Sequence, residues 1–123
     1  MAVFDHLGLS VSDYPLSKAF YEKALAPLGI TVMTEGDGWC LIGRMGDGYL
    51  WLGAMGTRTA PIHIAFSAKS RADVRAFYDA AIAAGATDNG KPGIRKEYHP
   101  NYYGAFVLDR DGHNIEAVCH MPE

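Results

Sequence analysis

Cysteine is scarce in this chain: Cys40 and Cys119 are the only two among 123 residues, and they form no C-x-x-C pair. A disulfide scaffold and a cysteine-based zinc module are therefore excluded. The first residues, Met1 to His6, offer neither a basic stretch nor a long apolar one. With no export signal to read, both thiols are expected to be reduced and buried, and the protein cytoplasmic. No apolar run approaches the length needed to cross a bilayer, so no membrane partner is expected. The 11 Lys and Arg residues are scattered and the net charge is −3, which argues against nucleic acid. Also missing are a Gly-x-x-x-x-Gly-Lys-Ser/Thr loop, a Gly-x-Gly-x-x-Gly turn after a strand, and a Gly-x-Ser-x-Gly elbow. These absences remove the common nucleotide-binding and serine-hydrolase readings.

What is present is an internal repeat. His6-Leu-Gly-Leu-Ser10 matches His63-Ile-Ala-Phe-Ser67, and Ala19-Phe-Tyr-Glu-Lys-Ala-Leu25 matches Ala76-Phe-Tyr-Asp-Ala-Ala-Ile82. Both pairs are offset by 57 positions, so a duplicated unit is favoured over coincidence. One domain over residues 1–123 is expected, with modules of about 1–57 and 58–123. Each module opens with an apolar strand, Val3 to Val11 and Ile62 to Ala68. A helix follows, capped by Ser12 or Asp13 with Pro15 in its first turn, and in the second module by Ser70-Arg-Ala-Asp73. Leu16, Phe20, Ala24, Leu25 and Leu28 form one apolar stripe; Val74, Phe77, Tyr78, Ala81 and Ile82 form the other. Gly29 and Gly85 end the two helices. Strands are then predicted over Ile30–Glu35, Trp39–Arg44 and Tyr49–Ala54, joined by Gly36-Asp-Gly38 and Gly46-Asp-Gly48 turns. In the second module Tyr103–Asp109 and Asn114–Cys119 flank Asp111-Gly112. A strand between Thr87 and Tyr102 is expected to break at Lys91-Pro-Gly93 and end in a loop around His99-Pro100. The pattern is α+β, with two βαβββ modules.

His6 and His63 hold equivalent places in the two repeats. Two buried imidazoles without partners would cost free energy, and a shared metal removes that cost. Glu116 is the one acidic residue inside a strongly apolar strand, Asn114-Ile-Glu-Ala-Val-Cys119. Taken alone it fits a solvent-facing position equally well. With the two histidines it completes a 2-His-1-carboxylate set suited to a divalent ion with open positions. His113, in the Asp-Gly turn, is expected to be exposed. Arg95 and Lys96 are expected in a solvated loop, although they could attract an anion.

These segments resemble the glyoxalase/bleomycin resistance/extradiol dioxygenase superfamily, also called vicinal oxygen chelate. The resemblance rests on Asp5-His6-Leu-Gly-Leu-Ser-Val11, on His63-Ile-Ala-Phe66, and on the ending from Tyr102 to Val118, where an Asp-Gly turn precedes the Glu116 strand. It implies curved mixed sheets around a cavity, with one divalent metal (Zn, Ni, Mn or Fe) on His6, His63 and Glu116. It also implies a small-molecule substrate chelated through oxygens and a homodimer that pairs modules within or between chains. Glu116 is then the catalytic candidate, and Trp51, Tyr102, Tyr103 and His99 are candidates for the pocket. Aligning Tyr49-Leu-Trp-Leu with Asn114-Ile-Glu-Ala puts Trp51 opposite Glu116. Tryptophan cannot ligate, so the sequence departs from four-ligand glyoxalase I enzymes. The implied chemistry is lyase or isomerase, transferase, or dioxygenase; the alternative is a non-catalytic protein that sequesters a small molecule.

Overall fold

The computed structural model describes residues 4–54 and 60–123. Val3, at the head of the first expected strand, and the expected module boundary near residue 57 lie outside the described residues. The element order is β1 (His6–Ser10), α1 (Tyr14–Leu25), a 3-10 turn (Ala26–Leu28), β2 (Thr31–Gly36), β3 (Trp39–Gly43) and β4 (Tyr49–Gly53), followed by β5 (His63–Ser67), α2 (Arg71–Ala83), β6 (Thr87–Ile94), β7 (Tyr103–Leu108) and β8 (Asn114–Cys119). This is βαβββ twice. Each module folds into one four-stranded sheet, ordered β1-β4-β3-β2 and β5-β8-β7-β6. The β1–β4 and β5–β8 pairs are parallel and the rest antiparallel, so both sheets are mixed.

Local chemistry accounts for these elements. The Asp13 carboxylate accepts from the Leu16 N–H at 3.1 Å, so Asp13 rather than Ser12 caps α1. The Ser70 hydroxyl accepts from the Asp73 N–H at 3.1 Å and starts α2. Gly29, at φ 74, closes the turn after α1 in a conformation that other residues rarely adopt. One difference lies in β6. It runs through Lys91-Pro-Gly93 instead of breaking there, because two register shifts let the strand absorb residues that cannot pair.

Alternation then sorts each sheet into a helix-covered face and an open face. Leu9, Leu50, Leu52 and Ile42 of the first sheet, and Ile64, Val107, Ile115 and Ala117 of the second, point under the helices. They join Phe20, Tyr21, Leu25, Val74 and Phe77 in one continuous core. Burying each large apolar side chain contributes roughly 1.5–3 kcal/mol. Two residues of the predicted stripes fall outside it: Leu16 and Ile82 are 52% and 37% exposed, at the margins of their helices. Cys40 and Cys119 are buried free thiols, as their scarcity suggested. Among the described residues no helix is long and apolar enough to cross a membrane.

The β7–β8 turn joins the modules. The Tyr21 hydroxyl, from α1, donates to Asp109 Oδ2 at 2.5 Å, while Asp109 Oδ1 accepts from the N–H groups of Asp111 and His113. His113 is 2% exposed, which corrects the expectation of a solvated turn. Its Nδ1 accepts from the Ile62 N–H at 3.0 Å, and its Nε2–H reaches the Ser10 carbonyl at 3.1 Å. One neutral tautomer satisfies both bonds. The ring thus ties the end of β1 to the start of β5, a long-range docking that no local pattern encodes. Tyr21→Phe should strand a buried carboxylate oxygen and cost about 1–3 kcal/mol. Urea denaturation should show the lower midpoint, and an unchanged midpoint would mean the joint carries no stability.

Candidate functional site

The open face of the second sheet holds the only buried carboxylate described there. Glu116 lies on β8, paired in register with Ala65 of β5 and Phe106 of β7, and is 1% exposed. A charge so deeply buried needs partners. His63, at the start of β5, brings Nε2 to 2.8 Å from Oε1. The Tyr102 hydroxyl donates to Oε2. Burial first, and then this bond to a carboxylate, push the Tyr102 phenol well above its ordinary pKa, so it stays protonated and remains a donor. Gly104 makes the room. A Cβ there would sit 3.1 Å from Tyr102 Cε1 and 3.2 Å from Glu116 Oε2.

Around this pair the face is aromatic. The Phe106 ring lies 6.2 Å from that of His63, centroid to centroid. The Tyr102 ring packs edge-on against Tyr98 at 5.0 Å and His120 at 5.1 Å. The His99 ring meets that of His120 at 5.5 Å, its Nδ1 accepts from the Asn101 N–H, and its carbonyl accepts from the Tyr102 N–H at 3.1 Å. His120 therefore touches the site by way of Tyr102, although strand spacing keeps it from Glu116. Arg95 extends over Phe106, its guanidinium carbon 5.4 Å from the ring centroid. It is half-buried rather than solvated, unlike the exposed Lys96. Gly90 and Gly93 leave space for it beside Phe106, an arrangement set by the register shifts of β6 rather than by any local pattern.

Other predicted residues lie elsewhere. Tyr103 sits on the opposite face of β7, where Arg71 and Arg75 of α2 stack on its ring and Arg75 Nη1 donates to its hydroxyl at 3.3 Å. It does not share a face with Tyr102, because adjacent strand residues point to opposite faces. His6 belongs to the first sheet. Its Nδ1 contacts Asp5 Oδ1 at 2.7 Å, and its side chain is 59% exposed. Among the described residues no three His, Cys, Asp or Glu side chains cluster closely enough to hold a metal ion within one chain. His63 and Glu116 meet; His6 does not join them.

The repeat alignment of Trp51 matches the strand register. Gly8 of β1 pairs with Trp51, as Ala65, 57 positions on, pairs with Glu116. The indole reclines along its own strand over Gly53, where a Cβ would lie 2.5 Å from Cη2. Trp39 reclines likewise over Gly36, where a Cβ would lie 2.5 Å from Nε1. The open face of the first sheet is thus indole where the second has a carboxylate.

The family described as Glyoxalase/Bleomycin resistance protein/Dioxygenase superfamily matches residues 3–117. No curated protein sequence matches the chain. Among solved structures, a glyoxalase/bleomycin resistance protein from Albidiferax ferrireducens T118 is similar at 29% identity and TM-score 0.83, over 94% of this chain and 98% of its own. A glyoxalase/bleomycin resistance protein/dioxygenase family enzyme from Burkholderia phytofirmans PsJN shares the fold at 18% identity and TM-score 0.74, over 95% and 98% of the two chains. TioX from Micromonospora sp. ML1 does so at 14% identity and TM-score 0.74, over 96% and 98%.

The two adjacent tyrosines should behave differently. Tyr102→Phe removes a donor from a buried carboxylate and should cost about 1–3 kcal/mol. Tyr103→Phe removes only an exposed contact and should stay within about 0.5 kcal/mol of wild type. Parallel chemical denaturation of the two variants reads the contrast, and equal losses would refute it.

Proposed function

This chain belongs to the glyoxalase/bleomycin resistance protein/dioxygenase superfamily, and from that premise we propose that it is a metal-dependent enzyme acting on a small molecule through the substrate's oxygen atoms. The observation that carries the reading is the convergence of His63 Nε2 and Glu116 Oε1, 2.8 Å apart, at one edge of an open sheet face, where the carboxylate is buried and the imidazole is exposed. An imidazole and a carboxylate are the donor types that divalent first-row metals accept, and zinc, nickel, manganese and iron all suit them. His6 supplies the third ligand, from a second copy of the chain. With its Nδ1–H given to Asp5, His6 keeps Nε2 free to ligate, the arrangement that commonly orients a metal-binding histidine.

A bound divalent ion would act as a Lewis acid toward the substrate's oxygens. The chain's own residues do the rest. Tyr102 holds the second oxygen of Glu116 and so keeps the first directed at His63. Phe106 and the edge-on aromatic group of Tyr98, Tyr102 and His120 keep water from the carboxylate. Trp51 faces the site across the paired modules as an apolar wall, leaving open a position that four-ligand relatives fill. Isomerase or lyase, transferase and dioxygenase chemistry are all served by this arrangement. One observation favours a second reading, sequestration of a ligand without turnover: Trp39 and Trp51 lie flat over glycines and form a broad apolar surface.

Protein purified without chelator should carry one divalent ion per chain by elemental analysis, and His63→Ala should lose it. Equal, substoichiometric metal in both proteins would remove the enzyme reading and leave the sequestering one. Light scattering should give a dimer at micromolar concentration; a monomer would rule out His6 from a second copy. Trp51→Glu adds a carboxylate at the register position of Glu116 and should tighten metal binding while lowering activity. A folded Trp51→Glu protein with unchanged metal affinity would place Trp51 away from the ion.

A further inference from the structure

We propose that Arg95 is an anion-recognition residue and that the ligand of this site is an organic oxyanion, its charged group set apart from its reacting oxygens by a short apolar stem. The proposal relies on the reading above only for where the reacting end lies. Arg95 is on the same open face as Glu116, His63 and Phe106. Phe106 is the spacer, 5.4 Å from its ring centroid to the guanidinium carbon and 6.2 Å to the His63 ring. One small molecule can therefore span from the His63–Glu116 edge to Arg95.

The guanidinium is held rather than loose. Arg95 Nη2 donates to the Lys91 carbonyl at 2.7 Å, and the Arg95 backbone N–H donates to the Tyr102 carbonyl at 2.7 Å. Its cradle is cut by two glycines. A Cβ on Gly90 would lie 3.2 Å from Nη2, and one on Gly93 would lie 3.1 Å from Nη1. Gly90 also sits at φ 150, which other residues rarely adopt. Among the described residues no carboxylate lies within ion-pair distance of Arg95, whereas Arg44 and Arg71 each have one. A fixed, half-buried guanidinium with spare donors and no counter-ion among the described residues matches the paired acceptor oxygens of carboxylates and phosphonates. In the metal-free protein the buried Glu116 carboxylate would repel that group from the other end, which leaves Arg95 as the anion's partner.

The test uses metal-stripped protein, so it does not depend on the metal. Binding of 3-phenylpropionate, 3-phenylpropionamide and 2-phenylethylphosphonate is followed by calorimetry and by the Arg95 Nε–H resonance. At least one of the two anions should bind about tenfold tighter than the amide, and which one does so identifies the anion class. Arg95→Gln, which can still donate to Lys91, should abolish the preference, and Arg95→Lys should retain part of it. Equal binding of acids and amide, no binding of any probe, or an undiminished preference in Arg95→Gln would overturn the proposal. Failure of the metal reading would appear instead in the elemental analysis and leave these titrations unaffected.

Discussion

The His113 ring is the constraint on which the relation of the two modules depends. Each module has its own sheet and helix, and the sheets share no strand. They are joined by packing of α1 against α2 and by the polar joint of Tyr21, Asp109, His113, Ser10 and Ile62. Hydrophobic contact between helices tolerates sliding, but directional bonds from both ring nitrogens do not. The joint reaches Ile62, the residue before His63. The position of the candidate ligand and the seating of one module on the other are thus set together.

The two open faces show how one backbone plan supports different chemistries. Register places Trp51 and Glu116 at corresponding points, yet their demands differ. A buried carboxylate needs a donor for each oxygen, and β5 and the segment before β7 provide His63 and Tyr102. An indole needs area, and the glycines at positions 8 and 53 leave it room. Glycine recurs at Gly104 for the opposite purpose, admitting polar groups to a tight space. Duplication thus yields one face with charge and hydrogen-bonding capacity and one with apolar breadth.

Most of the fold was legible because it is written locally. The 57-residue offset recurs in the first residues of β1 and β5 and of α1 and α2, and the glycine-bearing turns mark the hairpins. The His63–Glu116 contact follows from the parallel β5–β8 pair, in which Glu116 pairs with Ala65, two residues after His63 and on the same face. What was not legible depends on distant contacts. His113 looks like a turn residue until the turn docks. Arg95 looks like loop charge until β6 bulges beneath it. The separation of His6 from the other two candidate ligands is a matter of module orientation, about which alternation and spacing say nothing. Tyr103 is a different case: as the neighbour of Tyr102 along the strand path, it points to the opposite face.

The bulges of β6 have a consequence beyond the site. This strand is the outer edge of its sheet, and an edge with evenly spaced, unpaired amides and carbonyls is a template for a strand from another molecule. β6 cannot serve as one. Pro92 offers no N–H, and the register shifts on either side of Gly90 break the ladder's rhythm. The irregularity that seats a guanidinium over Phe106 also keeps the sheet from growing at this edge into an aggregate.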